Sequence, residues 1–130
     1  MRLLLDTHVL IWAFREPSRI ASNALAALRD PTNELYVSAI TPFEISTKHK
    51  SGKLPGADQI VLAYDDHLKR LGARDLHVTG HHGLIAGSLT TDHRDPFDRI
   101  LAAQAITESM ILVTSDSAFD SIGGVRTLWS

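Results

Sequence analysis

Four carboxylates in this 130-residue chain are spaced for joint chemistry: Asp6, Glu44, Asp98 and Asp116. Asp6 directly follows the apolar run Leu3-Leu4-Leu5, and Asp116 closes Thr114-Ser115-Asp116 after the run Met110–Val113. Glu44 and Asp98 end two rhyming words, TPFE at Thr41–Glu44 and DPFD at Asp95–Asp98. Carboxylates gathered in one place repel, and their pKa values rise unless a cation neutralises them. With oxygen ligands and no cysteine in the chain, the fitting cation is Mg²⁺ or Mn²⁺ rather than zinc. Two such ions a few Å apart activate water and steady the leaving oxygen in phosphodiester hydrolysis. A plainer reading stands beside this one. Thr41 with Glu44 matches a capping box, Asp95 with Asp98 is a near relative, and an acid in a helix's first turn contributes about 0.3–1 kcal/mol.

The elements must therefore decide whether the acids meet. Leu3–Leu5, Leu35–Val37, Leu76–Val78, Met110–Val113 and Val125–Trp129 read as strands. Between them the pattern predicts helices. One covers Val9 to Phe14 and stops before Pro17, and one is capped by Ser22 and runs to Leu28. A third is capped by Thr41 and ends in Lys48, His49, Lys50 and Gly52. Ile60, Val61, Tyr64, Leu68 and Leu71 share one helical face. A short helix follows at His82–Leu89, and Asp95-Pro96 opens another that runs to about Glu108. Strands alternating with helices, with continuous apolar runs, predict a three-layer α/β domain with a mostly parallel sheet. Such sheets place ligands at the carboxyl ends of their strands. Asp6 and Asp116 belong at that edge, and helices that follow strands start there.

Composition narrows the function classes. A chain of this length, 44% hydrophobic and 22% charged, is expected to form one domain over residues 1–130. A net charge of -2 excludes gripping nucleic acid by bulk charge, so any such contact must be local. Basic residues gather at Lys48, His49, Lys50 and Lys53, and again at Arg94 and Arg99. Asp6 interrupts the N-terminal apolar run, which argues against a signal peptide, and no apolar stretch reaches membrane-spanning length. The absence of cysteine suits a reducing cytoplasm. Among seven histidines, His81, His82 and His93 are expected nearest Asp98. The chain has no H-E-x-x-H and no three-ligand zinc spacing, so they read as ordinary loop histidines.

The segments LLLDTHVLIWA, VSAITPFEI, GKL at Gly52–Leu54, HRDPFDRILAAQA and LVTSDSAF occur in this order. Together they resemble the PIN-domain family, and within it the VapC-type ribonuclease toxins of bacterial toxin–antitoxin pairs. The resemblance covers essentially the whole chain, and D-P-F-D-R-I-L-x-A-Q-A is its most specific part. It departs at His8, where the wider family often has asparagine or serine, and at Phe43, where this branch often has tryptophan. The resemblance implies a sheet of about five parallel strands, a homodimer, and inhibition by a small cognate antitoxin. It also implies Mg²⁺- or Mn²⁺-dependent cutting of single-stranded or loop RNA. The family's acids fall on Asp6, Glu44, Asp98 and Asp116, and its hydroxyl residue falls on Thr114. On this reading Asp6, Asp98 and Asp116 hold metal directly or through water. Glu44 completes the pocket, holds a second ion or orients water, and Thr114 positions a carboxylate. Asp120 and Arg99 are further candidates, Asp120 as an additional acid and Arg99 as a phosphate contact. Lys48 is expected to pair with Glu44 one turn away. Two rivals remain: a catalytically silent PIN-like binding domain, and a phosphate-accepting receiver-like domain.

Overall fold

A computed structural model describes residues 1–54 and 56–130. Its elements run β1 (Arg2–Leu5), α1 (Thr7–Arg15), α2 (Ser22–Arg29), β2 (Glu34–Ser38), α3 (Ile40–Lys50), α4 (Asp58–Leu62) and α5 (Tyr64–Leu71). They continue with β3 (Ala73–Leu76), α6 (Gly80–Ser88), α7 (Pro96–Thr107), β4 (Ile111–Val113) and β5 (Arg126–Leu128). Short 3₁₀ turns occupy Pro17–Arg19 and Ser117–Ser121. The five strands form one sheet in the order β3-β2-β1-β4-β5, and every pairing is parallel. The expected three-layer plan is therefore present.

Alternation along the strands builds the two outer layers. Leu3 and Leu5 face one core with Val9, Leu10, Val37, Ile45 and Leu68, drawn from β2 and helices α1, α3 and α5. Leu4 and Leu112 face the opposite core, where Leu101, Ala102 and Ala105 of α7 pack beside Phe119. Leu3, Leu4 and Leu5 are all fully buried. Each such side chain contributes about 1.5–3 kcal/mol by leaving water. That burial on both faces explains why the run is continuous rather than alternating.

The chain runs from β1 out through β2 to β3, then returns to place β4 on the other side of β1. The order therefore reverses between β1 and β4. A crevice opens outside the carboxyl ends of strands at such a switch point. Asp6 N donates to Val113 O across it, at 3.0 Å.

Several local expectations shift. Thr41 does not cap α3: β2 leads straight into the helix, Ala39 is the cap residue, and Ser38 Oγ accepts from Ile40 N at 3.1 Å. Among the described residues the buried Thr41 hydroxyl has no partner. Glu44 thus stands at the fifth helical position, not the third. Ser22 likewise opens α2 as its first residue, with Ala21 at the cap. The Ile60–Leu71 face belongs to two helices, α4 and α5, broken at Ala63. Gly72 ends α5 with φ 74° and delivers the chain directly to β3, three residues earlier than the apolar pattern suggests. β3 is an edge strand with the sequence ARDL, so burial leaves little apolar signature on it. No helix among the described residues is long and apolar enough to cross a membrane.

Candidate active site at the carboxyl edge of the sheet

Asp6 stands at the switch point as the N-cap of α1. Its Oδ1 accepts from Thr7 N at 2.7 Å, and its Oδ2 accepts from Thr114 Oγ1 at 2.7 Å. Thr114 follows β4, so this second bond ties the ends of the two central strands together. The same Thr114 hydroxyl accepts from Asp116 N at 3.0 Å. Thr7 Oγ1 donates to Glu44 Oε1 at 2.5 Å. Asp6 and Glu44 are only 7% and 4% exposed. Two threonine hydroxyls thus connect three of the four acids: Thr7 bridges to Glu44, and Thr114 bridges to the backbone of Asp116.

Asp98 arrives from α7. Asp95 caps that helix, its Oδ1 accepting from Phe97 N and Asp98 N at 2.9 and 3.2 Å, and Pro96 takes the first helical position. Asp98 therefore sits in the third position, as expected. Its Oδ2 bonds His93 Nε2 at 2.7 Å, and the His93 ring stacks on Phe119 with centroids 5.6 Å apart and planes at 26°.

The electrostatics show that these acids feel one another. Burial raises the Asp6 pKa, opposed by the Thr114 and Thr7 hydrogen bonds and the charge of His8, and Glu44 adds a further upward push. Burial likewise pushes Asp98 up to about 6; the His93 hydrogen bond opposes it, while Asp95 and Asp6 add to it. Lys48 Nζ lies 2.5 Å from Glu44 Oε2. Burial pulls the Lys48 pKa down, but the bond and charge of Glu44, with Asp95 and Asp98, leave it raised. The lysine is thus a resident positive charge inside an acidic pocket, and the expected pairing with Glu44 is present.

The side chains of the remaining candidates do not enter these hydrogen bonds. The Asp116 side chain is exposed, and its Oδ1 caps the following 3₁₀ turn through Ala118 N at 2.9 Å. Asp120 is exposed, 3.5 Å from Thr127 Oγ1. Arg99 does not present its guanidinium to the acids. It donates to the carbonyls of Ala86, Gly87, Leu89 and His93, knitting α6 and the following loop onto α7. His82 completes a capping box with Thr79 at the start of α6. Sequence reasoning missed the bridging role of Thr7, and it placed His93 near Asp98 but read it as an ordinary loop histidine. The adjacency of Thr7 to Asp6 and the position of His93 just before DPFD were the available signals.

Among the described residues, no group of three or more His, Asp or Glu side chains is arranged to hold a metal ion. The pocket nevertheless fits a hard divalent cation by its chemistry. Its carboxylates offer hard oxygen donors, and burial raises the pKa values of Asp6 and Asp98, which a cation would oppose. Mg²⁺ keeps several of its waters and binds through one or two carboxylates, and Asp6 and Asp98 are the carboxylates that could take it without a closed cage.

Beside α1 lies an open groove of about 850 Å³ lined by His8, Trp12, Arg15, Arg19, Lys53 and Ser115. The Arg19 guanidinium lies over the Trp12 ring, 4.7 Å from its centroid. Glu16 also lines the groove, 4.0 Å from Arg19, so three basic side chains and one acid surround the Trp12 ring. Ser115 carries the groove to the end of β4, next to Asp116.

Comparison with known proteins gives a consistent result. The PIN domain family model matches residues 3–125. The chain is 31% identical to ribonuclease VapC22 of Mycobacterium tuberculosis over 98% of each chain. It is 24% identical to the tRNA(fMet)-specific endonuclease VapC of Shigella flexneri, over 98% of this chain and 96% of the relative. Its fold matches a structure of VapBC2 from Rickettsia felis bound to a promoter DNA fragment, with TM-score 0.72, 19% identity and full coverage of both chains.

Proposed function

Since the chain belongs to the PIN-domain family, in its VapC-type branch, we propose that it is a Mg²⁺- or Mn²⁺-dependent endoribonuclease. On this reading it hydrolyses RNA phosphodiester bonds as a toxin neutralised by a small cognate antitoxin. The observation that carries the reading is the hydroxyl-bridged pocket in which Asp6 is held by Thr7 and Thr114, with Glu44 and Asp98 within electrostatic reach. A purely structural acid at a helix cap needs no such second partner.

The residues divide the work. Thr114 fixes Asp6 against the end of β4, and Thr7 fixes Glu44 against the start of α1. Asp6 and Asp98 would hold the cation, with Glu44 and Asp116 reaching it through water. When bound, Mg²⁺ or Mn²⁺ supplies positive charge against the phosphate oxygens and lowers the pKa of water. Lys48 tempers the charge of Glu44, so the pocket tolerates burial before a cation arrives. RNA would approach along the groove of Arg15, Arg19 and Lys53, where the phosphate backbone meets positive charge and Trp12 offers a ring face. We further take residues 1–130 to act as one PIN domain, working as a homodimer in the cytoplasm.

The test is cleavage of a labelled single-stranded RNA with Mg²⁺, with Mn²⁺ and with EDTA, by the wild type and Asp6→Asn. Metal-dependent internal cuts by the wild type alone are expected. Cleavage that survives EDTA would point instead to histidine acid–base chemistry. Specific antitoxin binding without cleavage by the wild type would favour a silent binding domain, and a stable aspartyl phosphate after exposure to a small phosphodonor would favour a receiver.

A further inference from the structure

We propose that His93 is a positioning residue that aims the Asp98 carboxylate at the pocket and couples it to the turn carrying Asp116. The inference rests on the metal-dependent reading above. Asp6 has both oxygens held, by Thr7 N and Thr114 Oγ1. Asp98 has one oxygen held by a side chain, and that side chain is His93, Nε2 to Oδ2 at 2.7 Å. Among the described residues Oδ1 accepts no hydrogen bond, which leaves it available to a ligand. Two rotatable side-chain bonds would otherwise let Asp98 swing, and the like charges of Asp95 and Asp6 give it reason to.

His93 is itself held from three sides. Arg99 Nη1 donates to His93 O at 2.9 Å, and His93 N donates to Thr91 Oγ1 at 3.1 Å. Its ring stacks on Phe119, which is fully buried within the 3₁₀ turn that Asp116 caps. The His93 side chain is only 13% exposed, unlike an ordinary loop histidine. One imidazole thus joins the helix of Asp98 to the turn of Asp116. Arg99, the residue after Asp98, holds the loop that delivers the imidazole rather than meeting a phosphate. Hydrogen-bonded supports of this kind around metal-ligating groups are worth a large fraction of metal affinity.

The experiment measures Mn²⁺ affinity by the electron paramagnetic resonance of free Mn²⁺, together with melting in EDTA. It compares the wild type with His93→Phe, His93→Gln and Asp98→Asn. Phenylalanine keeps a ring on Phe119 and removes the donor, whereas the glutamine amide restores a donor near the Nε2 position. His93→Phe is expected to bind Mn²⁺ about 10-fold more weakly, His93→Gln to recover to within about threefold of wild type, and melting in EDTA to change little. Wild-type affinity in His93→Phe, with weakened binding in Asp98→Asn, would overturn the role of His93 and leave the nuclease reading standing. Equal losses in His93→Phe and His93→Gln would also overturn it, since the donor would then not matter. If the wild type bound no Mn²⁺, both readings would fall together. Should His93→Phe not fold, the imidazole ¹H–¹⁵N spectrum of the metal-free wild type decides. A slowly exchanging His93 Nε2–H that is lost in Asp98→Asn is expected, and its absence from the wild type would overturn the bond on which the proposal stands.

Discussion

The words TPFE and DPFD differ by two residues in spelling and by much more in structure. At α7, Asp95 caps the helix through two backbone N–H groups, Pro96 opens it, and Asp98 takes the third position. At α3 the helix starts before the word does. Ser38 and Ala39 perform the entry, the Thr41 hydroxyl finds no partner among the described residues, and Pro42 falls in the third position, where its missing N–H costs nothing. Glu44 is consequently carried deeper, bonded to Thr7 and Lys48, while Asp98 is somewhat less buried, with His93 as its side-chain partner. The two words still meet: the Phe43 and Phe97 rings pack edge to face with centroids 5.6 Å apart. The same four-letter pattern thus supplies one acid that is neutralised within the protein and another left with an open oxygen.

The sharpest way to break this comparison is to neutralise the open acid. Asp98→Asn is expected to lower RNA cleavage by about 100-fold, with folding intact; equal rates in a single-turnover assay would place the chemistry elsewhere. Glu44→Ala is the matching change at the other word. It leaves the partly buried Lys48 unpaired and breaks the Thr7 bond, so chemical denaturation should show a loss of about 2 kcal/mol. In EDTA, Asp98→Asn should be as stable as wild type or more so, because repulsion from Asp95 and Asp6 is relieved.

pH separates the two acids next. The folded Asp98 pKa, near 6, lies above its ordinary value of 3.8, so the folded state binds the proton more tightly than the unfolded state does. The stability that this provides is complete below about pH 4 and is lost as pH rises through about 6. Metal-free wild type should therefore melt higher at pH 5 than at pH 7 from this contribution, and Asp98→Asn should flatten the difference. An unchanged profile in the mutant would remove Asp98 as the source.

The caps provide the smallest and most local contrast. Asp95→Ala should cost about 1 kcal/mol by removing a true cap. Thr41→Val should cost nothing or stabilise slightly, since it replaces an unpartnered buried hydroxyl with a methyl group. Equal losses from the two would mean that both words cap their helices after all.

Much of this was legible in the residues. Leu3–Leu5 and Met110–Val113 announced the central strands because burial on both faces demands apolar side chains at every position. Asp95-Pro96 announced α7 because a cap acid and a first-position proline suit the unpaired N–H groups of a helix end. Thr41 misled, because the same signature cannot tell a helix that begins there from one already begun by the strand before it. The β3 edge strand was misplaced because one exposed face and a free edge relax the demand for apolar residues.

The sequence by itself determined which residues are acids, which runs must be buried, and so that Asp6 and Asp116 belong at one edge of a parallel sheet. Those features depend on side-chain chemistry and on periodicity, both local. Only the tertiary structure decided that the strand order reverses between β1 and β4. It also decided that Thr7 reaches Glu44 across 37 positions, that Thr114 reaches Asp6 across 108, that His93 bonds Asp98, and that Arg99 turns to backbone carbonyls instead of the acids. The physical reason is that a hydrogen bond depends on the distance between its atoms in space, and packing sets that distance between residues far apart in the chain.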